Sequence, residues 1–185
     1  GTHIAHAGIL ILLVGHVLTT TLVDRTDPSN FVTLERDVPT QHRGMELVFT
    51  GVEVLSADEQ GYGYRIGDGY VGVVIEARDV GGSLLGTITP GMLRFDSPSG
   101  MVSARSEVDR LTGATGDTIV ILDLLQSNEL LSSMILGQTD DVSEVRVTVH
   151  HLQGSHLVWA GWLMVVTGSA LASLPRRVTE PSQDE

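Results

Sequence analysis

The sequence predicts a membrane protein in which two transmembrane α-helices flank an all-β domain, a sandwich or small barrel, on the extracytoplasmic side. Three observations carry that expectation. Two long runs, Ile4 to Val23 and Leu157 to Leu174, contain no charged residue. The stretch between them is rich in Val, Ile, Thr and Leu in short segments punctuated by Gly, Asp, Ser and Pro. Two arginines, Arg176 and Arg177, stand directly after the second run.

The helices come first. A hydrocarbon core about 30 Å thick takes roughly 20 helical residues to cross, so both runs are long enough, the second with little slack. Neither shows the charged stripe that a helix on a soluble core turns to water. A cleaved signal peptide fits the first run poorly. No basic residues precede it, the apolar stretch is too long, and LTTTLVD offers no small-residue cleavage site. The chain enters this run almost at once from Gly1, which reads as a fragment or as the tail of a longer membrane protein. The arginine pair at the end of the second run sets that end in the cytoplasm by the positive-inside rule. Two spans then place the intervening domain outside. The expected divisions are 1–23 and 157–174 for the helices, 24–156 for the outer domain, and 175–185 for a short polar cytoplasmic tail.

For the outer domain, FVTLER, MELVFTGVEVLS, VGVVIEARD, SLLGTI, GMVSARSEV, DTIVILDLL and VSEVRVTVHHL are expected as strands. Several alternate apolar and polar residues, which buries one face of a strand. GYGYRIGDG, DVGGS, DSPSG and LTGATGD supply turn chemistry between them. Short strands at this spacing point to an antiparallel sandwich or barrel. NELLSSMILG fits a short helix and a loop equally.

Composition excludes several functions. The region between the helices carries 20 acids against 9 arginines, and the whole chain has a formal charge of −12. Such a surface repels phosphodiester backbones, so nucleic acid is not an expected partner. Lysine is absent, a trait of salt-adapted or GC-rich organisms. There is no cysteine, hence no disulfide, thiolate metal site or blue-copper centre within the chain. GYGYRIG departs from the dinucleotide spacing and reads as a hairpin connection, with Tyr62 and Tyr64 packing on one strand face. His150 and His151 are neighbours on a strand, point to opposite faces and do not chelate one ion together. No spacing suggests a Ser/His/Asp hydrolase, and the catalytic residues are left unassigned.

The first apolar run nevertheless contains His3, His6 and His16. Ionisable side chains inside a bilayer are costly and tend to face protein, where they serve function. His3 lies at the helix edge. His6 lies about one turn further in, beside the small residues Ala7 and Gly8, which leave room for a neighbour or a flat ligand. His16 is about 15 Å further along and about 80° round the helix, so the two cannot share one iron. Bis-histidine heme ligation draws on two facing helices, and the second helix has no histidine. His156 stands at its outer end, away from His6. From residue chemistry alone, His6 is equally an iron ligand completed from outside this chain or a hydrogen-bonding group between helices.

The order of parts resembles the C-terminal portion of the CcmF/NrfE-type cytochrome c heme lyases. AHAGILILLVGHVLTT resembles their A-H-L-G-x-apolar helix. VTLERDVPTQHRGMELVFTGVEV resembles their polar-to-apolar strand pair through Leu47, Phe49, Gly51 and Val52. TPGMLRFDSPSGMVSARSEV resembles their P-E-K-R-x-Y stretch through Pro90, Arg94, Phe95 and Glu107. DTIVILD keeps Asp117 and Val120, and HLVWAGWLMVVTGSALASLPRR resembles the closing helix through Trp159, Gly161, Leu163, Met164, Gly168 and Leu171. The missing Lys, Ser169 in place of a second Gly, and the absent Asn-Pro are departures.

The resemblance implies that His6 is one of two axial ligands of a heme b, the second lying outside this chain. It implies a multi-pass protein of a prokaryotic plasma membrane that takes heme from a chaperone and supports its covalent attachment to apocytochrome c, the heme b relaying electrons that keep the incoming iron reduced. The family's tryptophan-rich heme-handling segment has no counterpart here, since Trp159 and Trp162 both lie in the last helix. The chain is therefore expected to be a non-autonomous part of a heme lyase, with the remaining lyase helices or subunits, the heme chaperone, apocytochrome c and membrane lipid as partners. The alternative is a membrane-tethered β domain that binds or scaffolds proteins without a cofactor.

Overall fold

The structure is a computed structural model and describes residues 1–21, 23–63 and 65–174. The expectations for Tyr64, for the arginine pair 176–177 and for the tail fall outside those residues. The chain forms two compact units, one from its two ends, Gly1–Val23 and the stretch from Gln153, the other from Asp24–Leu152.

The first unit is a helical hairpin. Helix α1 spans Thr2–Thr21 and helix α3 spans Ser155–Ser173, and both are long and apolar enough to cross a membrane. Near the end of α1, Thr19 and Thr20 donate their hydroxyls to the carbonyls of Gly15 and His16, at 3.0 and 2.7 Å, so these polar groups are satisfied within the helix. Gly154, left-handed at φ 75°, turns the chain into α3. The helices pair antiparallel along a seam of glycines. Gly8 faces Gly161, Met164 and Val165, Gly15 faces Leu157 and Val158, and Gly168 faces Ala5. The glycines recur every seven residues on both helices: 1, 8 and 15, then 154, 161 and 168. A seven-residue repeat keeps one stripe of each helix facing the other. Close approach leaves no room for a side chain, because a Cβ on Gly8 would fall 2.8 Å from the carbonyl oxygen of Gly161. The outward faces stay apolar, with Leu10, Trp162 and Leu163 each at least 60% exposed.

The second unit is β-rich. Among the described residues its ten strands are β1 (Phe31–Glu35), β2 (Thr40–His42), β3 (Met45–Ser56), β4 (Gly69–Asp79), β5 (Leu84–Ile88), β6 (Gly91–Asp96), β7 (Val102–Glu107), β8 (Asp109–Gly113), β9 (Gly116–Leu122) and β10 (Glu144–Gln153). They form two sheets, one ordered β1-β10-β9-β8 and the other β2-β3-β4-β6-β7, with β5 beside the second half of β4. The named pairs are antiparallel; a single parallel bridge, Arg36 to Phe49, joins the sheets at one edge. The sheets share one core. Leu34, Phe49, Val73, Ile75, Ile88, Val120 and Val147 are among its fully buried members, and alternation along β10 sends Val145, Val147 and Val149 inward.

All seven expected strands are present. Three further strands, β2, β6 and β8, were not expected: TQH is short, GMLRFD follows a Pro-Gly pair, and DRLTG reads as the start of a turn. The domain is also not purely β. DTIVILDLL stops as a strand at Leu122, and Leu124–Ile135 form helix α2, which resolves NELLSSMILG as helical. Asp123 caps it, accepting from the Leu125 N–H at 2.9 Å, and Leu130 enters the core. GYGYRIG is the connection between β3 and β4, as expected. Tyr62 sits there in a 3-10 turn rather than on a strand, and packs with Tyr70 and Leu93.

Candidate functional site

His6 lies on α1 and is exposed. At 100° per residue it stands about 200° from Gly8 and about 180° from Gly15, which places it on the face opposite the glycine seam. Ile9, Leu10, Leu13 and Val17 continue that outward side and are 45–65% exposed. The space beside Gly8 does not serve His6; α3 fills it, because only a hydrogen at that position lets the two backbones meet. His6 consequently does not bond across the α1–α3 seam. The outward imidazole stands among the exposed apolar side chains Ile9, Leu10 and Leu13. Chemically, an imidazole so placed can supply one nitrogen ligand to a group outside the hairpin, and a bis-histidine site would need a second from elsewhere. His3 and His16 are also exposed, and among the described residues no three His, Asp or Glu side chains are grouped to hold a metal ion.

The histidines of the β domain behave differently. His151 is anchored by Thr118, whose hydroxyl lies 3.1 Å from Nδ1, with the Thr115 hydroxyl 3.4 Å from Nε2. His150, on the opposite face of β10, is 9% exposed, and its Nδ1 has no hydrogen-bond partner. The Nε2 of half-buried His42 is likewise buried and unpartnered. Burial, reinforced by the Arg43 guanidinium, pushes the pKa of His42 below its ordinary 6.5. Burial, with Arg25 and Arg43, does the same to His150.

Several positions picked out by the family resemblance meet at one end of the second sheet. Arg65 lies over the Tyr70 ring at 4.2 Å, and its Nε is 3.7 Å from Glu107. Arg94 pairs with Asp96 at 3.1 Å, and Phe95 packs against the Tyr62–Tyr70–Leu93 cluster. The Tyr70 phenol donates to the Thr89 carbonyl, and burial raises its pKa to about 12. It lies across Gly72 and Gly91, which face each other in the β4–β6 ladder and leave room for the ring. These residues form a packed structural cluster.

Comparison with protein-family models, with curated proteins and with solved structures finds no match for this chain in any of the three. Two features were missed at the level of sequence. The glycine seam was legible as a seven-residue repeat in both apolar runs. The burial of His150 had no sequence signal, since it depends on which elements pack on that face of β10.

Proposed function

We propose that this chain is the C-terminal membrane portion of a cytochrome c heme lyase, contributing one axial histidine, His6, to a heme b whose second ligand comes from a helix outside this chain. The observation that carries the reading is the direction of His6. The chain's own second helix occupies the opposite face, so the imidazole is presented to whatever packs outside the hairpin. An unpaired imidazole on such a face needs a partner there, because an unsatisfied polar group in hydrocarbon is costly. The exposed apolar side chains along both helices, among them Leu10, Leu13, Val14, Trp162 and Leu163, support insertion. When bound, a b-type heme supplies one-electron transfer. The residues of this chain hold its iron from one side through His6 and wall it with Ile9, Leu10 and Leu13. The β domain then lies on the extracytoplasmic side, where it meets apocytochrome or chaperone.

The test is the absorption spectrum of the detergent-purified assembly. Sharp reduced b-type bands are expected in the parent, strongly weakened in His6→Ala and largely intact in His3→Ala. Equal spectra for the parent and His6→Ala defeat the assignment and leave a tethered protein-binding β domain.

A further inference from the structure

The connection between β3 and β4 has no part in the heme reading, and it is built as a separate piece. Leu55, Tyr70 and Leu93 stand abreast on β3, β4 and β6. Val73 and Ile75 of β4 point into the main core, so Tyr70, of opposite parity, lies on the other face of the sheet. Residues 57–63 and 65–67 cover this apolar row. The ends of the cover are together, because Ser56 pairs with Gly69 in the β3–β4 ladder. Among the described residues its hydrogen bonds run almost wholly within itself. The N–H groups of Glu59, Tyr62 and Arg65 donate to the carbonyls of Ser56, Glu59 and Tyr62, Arg65 Nη1 donates to the Gly61 carbonyl, and the Tyr62 phenol donates to the Ile66 carbonyl at 2.9 Å. The bond from that phenol to the Gly69 carbonyl on β4 is long, 3.4 Å. Compact surface loops with joined ends, packed on their own side chains, are structural units.

Two side chains seat this unit on the sheet. Tyr62, the one buried member among the described residues, packs with Tyr70 and Leu93, with Leu55 and Phe95 beside them. Arg65 lies over the Tyr70 ring, and its Nε is 3.7 Å from Glu107, too far for a hydrogen bond. Arg65 Nε and Glu107 Oε2 are both buried without a hydrogen-bond partner. Such groups carry a desolvation cost in the seated state, which water relieves when they are uncovered. At the far end Asp68 is fixed: its N–H donates to the Arg94 carbonyl at 2.7 Å, and its carboxylate accepts from the Asp96 N–H at 2.7 Å. Gly67, just before it, has φ 101°, a conformation open to glycine. At the near end the Ala57 N–H reaches the Asp68 carbonyl over a long 3.4 Å. We propose that the β3–β4 connection is a flap, hinged at Ala57 and Gly67 and latched by Arg65, that lifts from the sheet as a unit and bares the row of Leu55, Tyr70 and Leu93. Its internal hydrogen bonds travel with it. Lifting gives up the Tyr62 packing, one cation–π contact and one long ion pair, so the flap opens well below the free energy of global unfolding.

The chain has no native cysteine, so introduced thiols report the opening in the full chain in detergent. Leu93→Cys places one under the flap, and Val73→Cys places one in the main core, where reaction with a thiol reagent waits for global unfolding. The Leu93→Cys thiol is expected to react at least about 100-fold faster than the Val73→Cys thiol, with a much shallower dependence on denaturant. Adding Arg65→Gln is expected to speed the first reaction roughly tenfold and to leave the second unchanged, as loss of a partly desolvated cation–π contact requires. Equal rates and equal denaturant slopes at the two positions overturn the flap. An Arg65→Gln variant that reacts no faster overturns the latch. Should Leu93→Cys not fold, nitration of Tyr70 in the unsubstituted chain, located by mass spectrometry, decides the matter: a shallow denaturant slope is the expected result, and the slope of global unfolding overturns the proposal.

Discussion

At the scale of single residues, His42 and His150 tie the stability of the β domain to pH. Both pKa values lie below 6.5 in the folded chain. As pH falls through that value, the unfolded chain takes up protons at these positions and the folded chain does not. Stability is therefore fully present above the unfolded value and is lost as pH falls towards the depressed folded values. Denaturant midpoints of the β domain should drop as pH falls through about 6.5, and His150→Gln should flatten the drop. A parallel slope in the variant would remove His150 from the account. The carboxylates of Asp24 and Asp27, held below the usual range by hydrogen bonds from Thr26 and Ser29, respond only at lower pH and do not confuse the window. That His150 and His151 face opposite sides followed from the period of a strand. That one is anchored by threonines and the other buried beside arginines did not, because it depends on which strands become neighbours.

At the scale of elements, the helical hairpin is set by glycines and the β domain by alternation. Ala at Gly8 or Gly161 puts a methyl against backbone of the facing helix, where nothing flexible gives way. Overpacking of this kind costs about 1–3 kcal/mol. Gly8→Ala and Gly161→Ala should each splay the pair, lowering the midpoint of helix loss on heating in detergent, followed by circular dichroism, whereas Leu10→Ala on the outward side should leave it unchanged. In the β domain, Leu130→Ala should destabilise by about 2–5 kcal/mol, the cost of truncating a buried leucine. A negligible change would mean that α2 is not part of the core. The strands of high Val, Ile and Thr content were legible because their side chains alternate between core and surface. Helix α2 was obscured because VILDLL continues a strand-like apolar run. Its boundary is set by one side chain, Asp123, which accepts the Leu125 N–H instead of letting the ladder continue.

At the scale of the whole molecule, everything proposed about function depends on which side of a membrane each part occupies. The helices at the two ends of the chain are antiparallel, so if they span, both connections to the β domain leave on one side and both chain ends lie on the other. By the positive-inside rule Arg176 and Arg177 would put the chain ends in the cytoplasm, while the 20 acids between the helices would have little influence on orientation. With no native cysteine, single introduced cysteines report the outcome cleanly. Val80→Cys, on the exposed turn after β4, should react with an impermeant maleimide in intact cells, and Ser182→Cys should react only after lysis. Reaction of both in intact cells would show that the helices do not separate two compartments. The reversed pattern would place the β domain in the cytoplasm, away from apocytochrome, and would end the heme-lyase reading even if His6 bound iron.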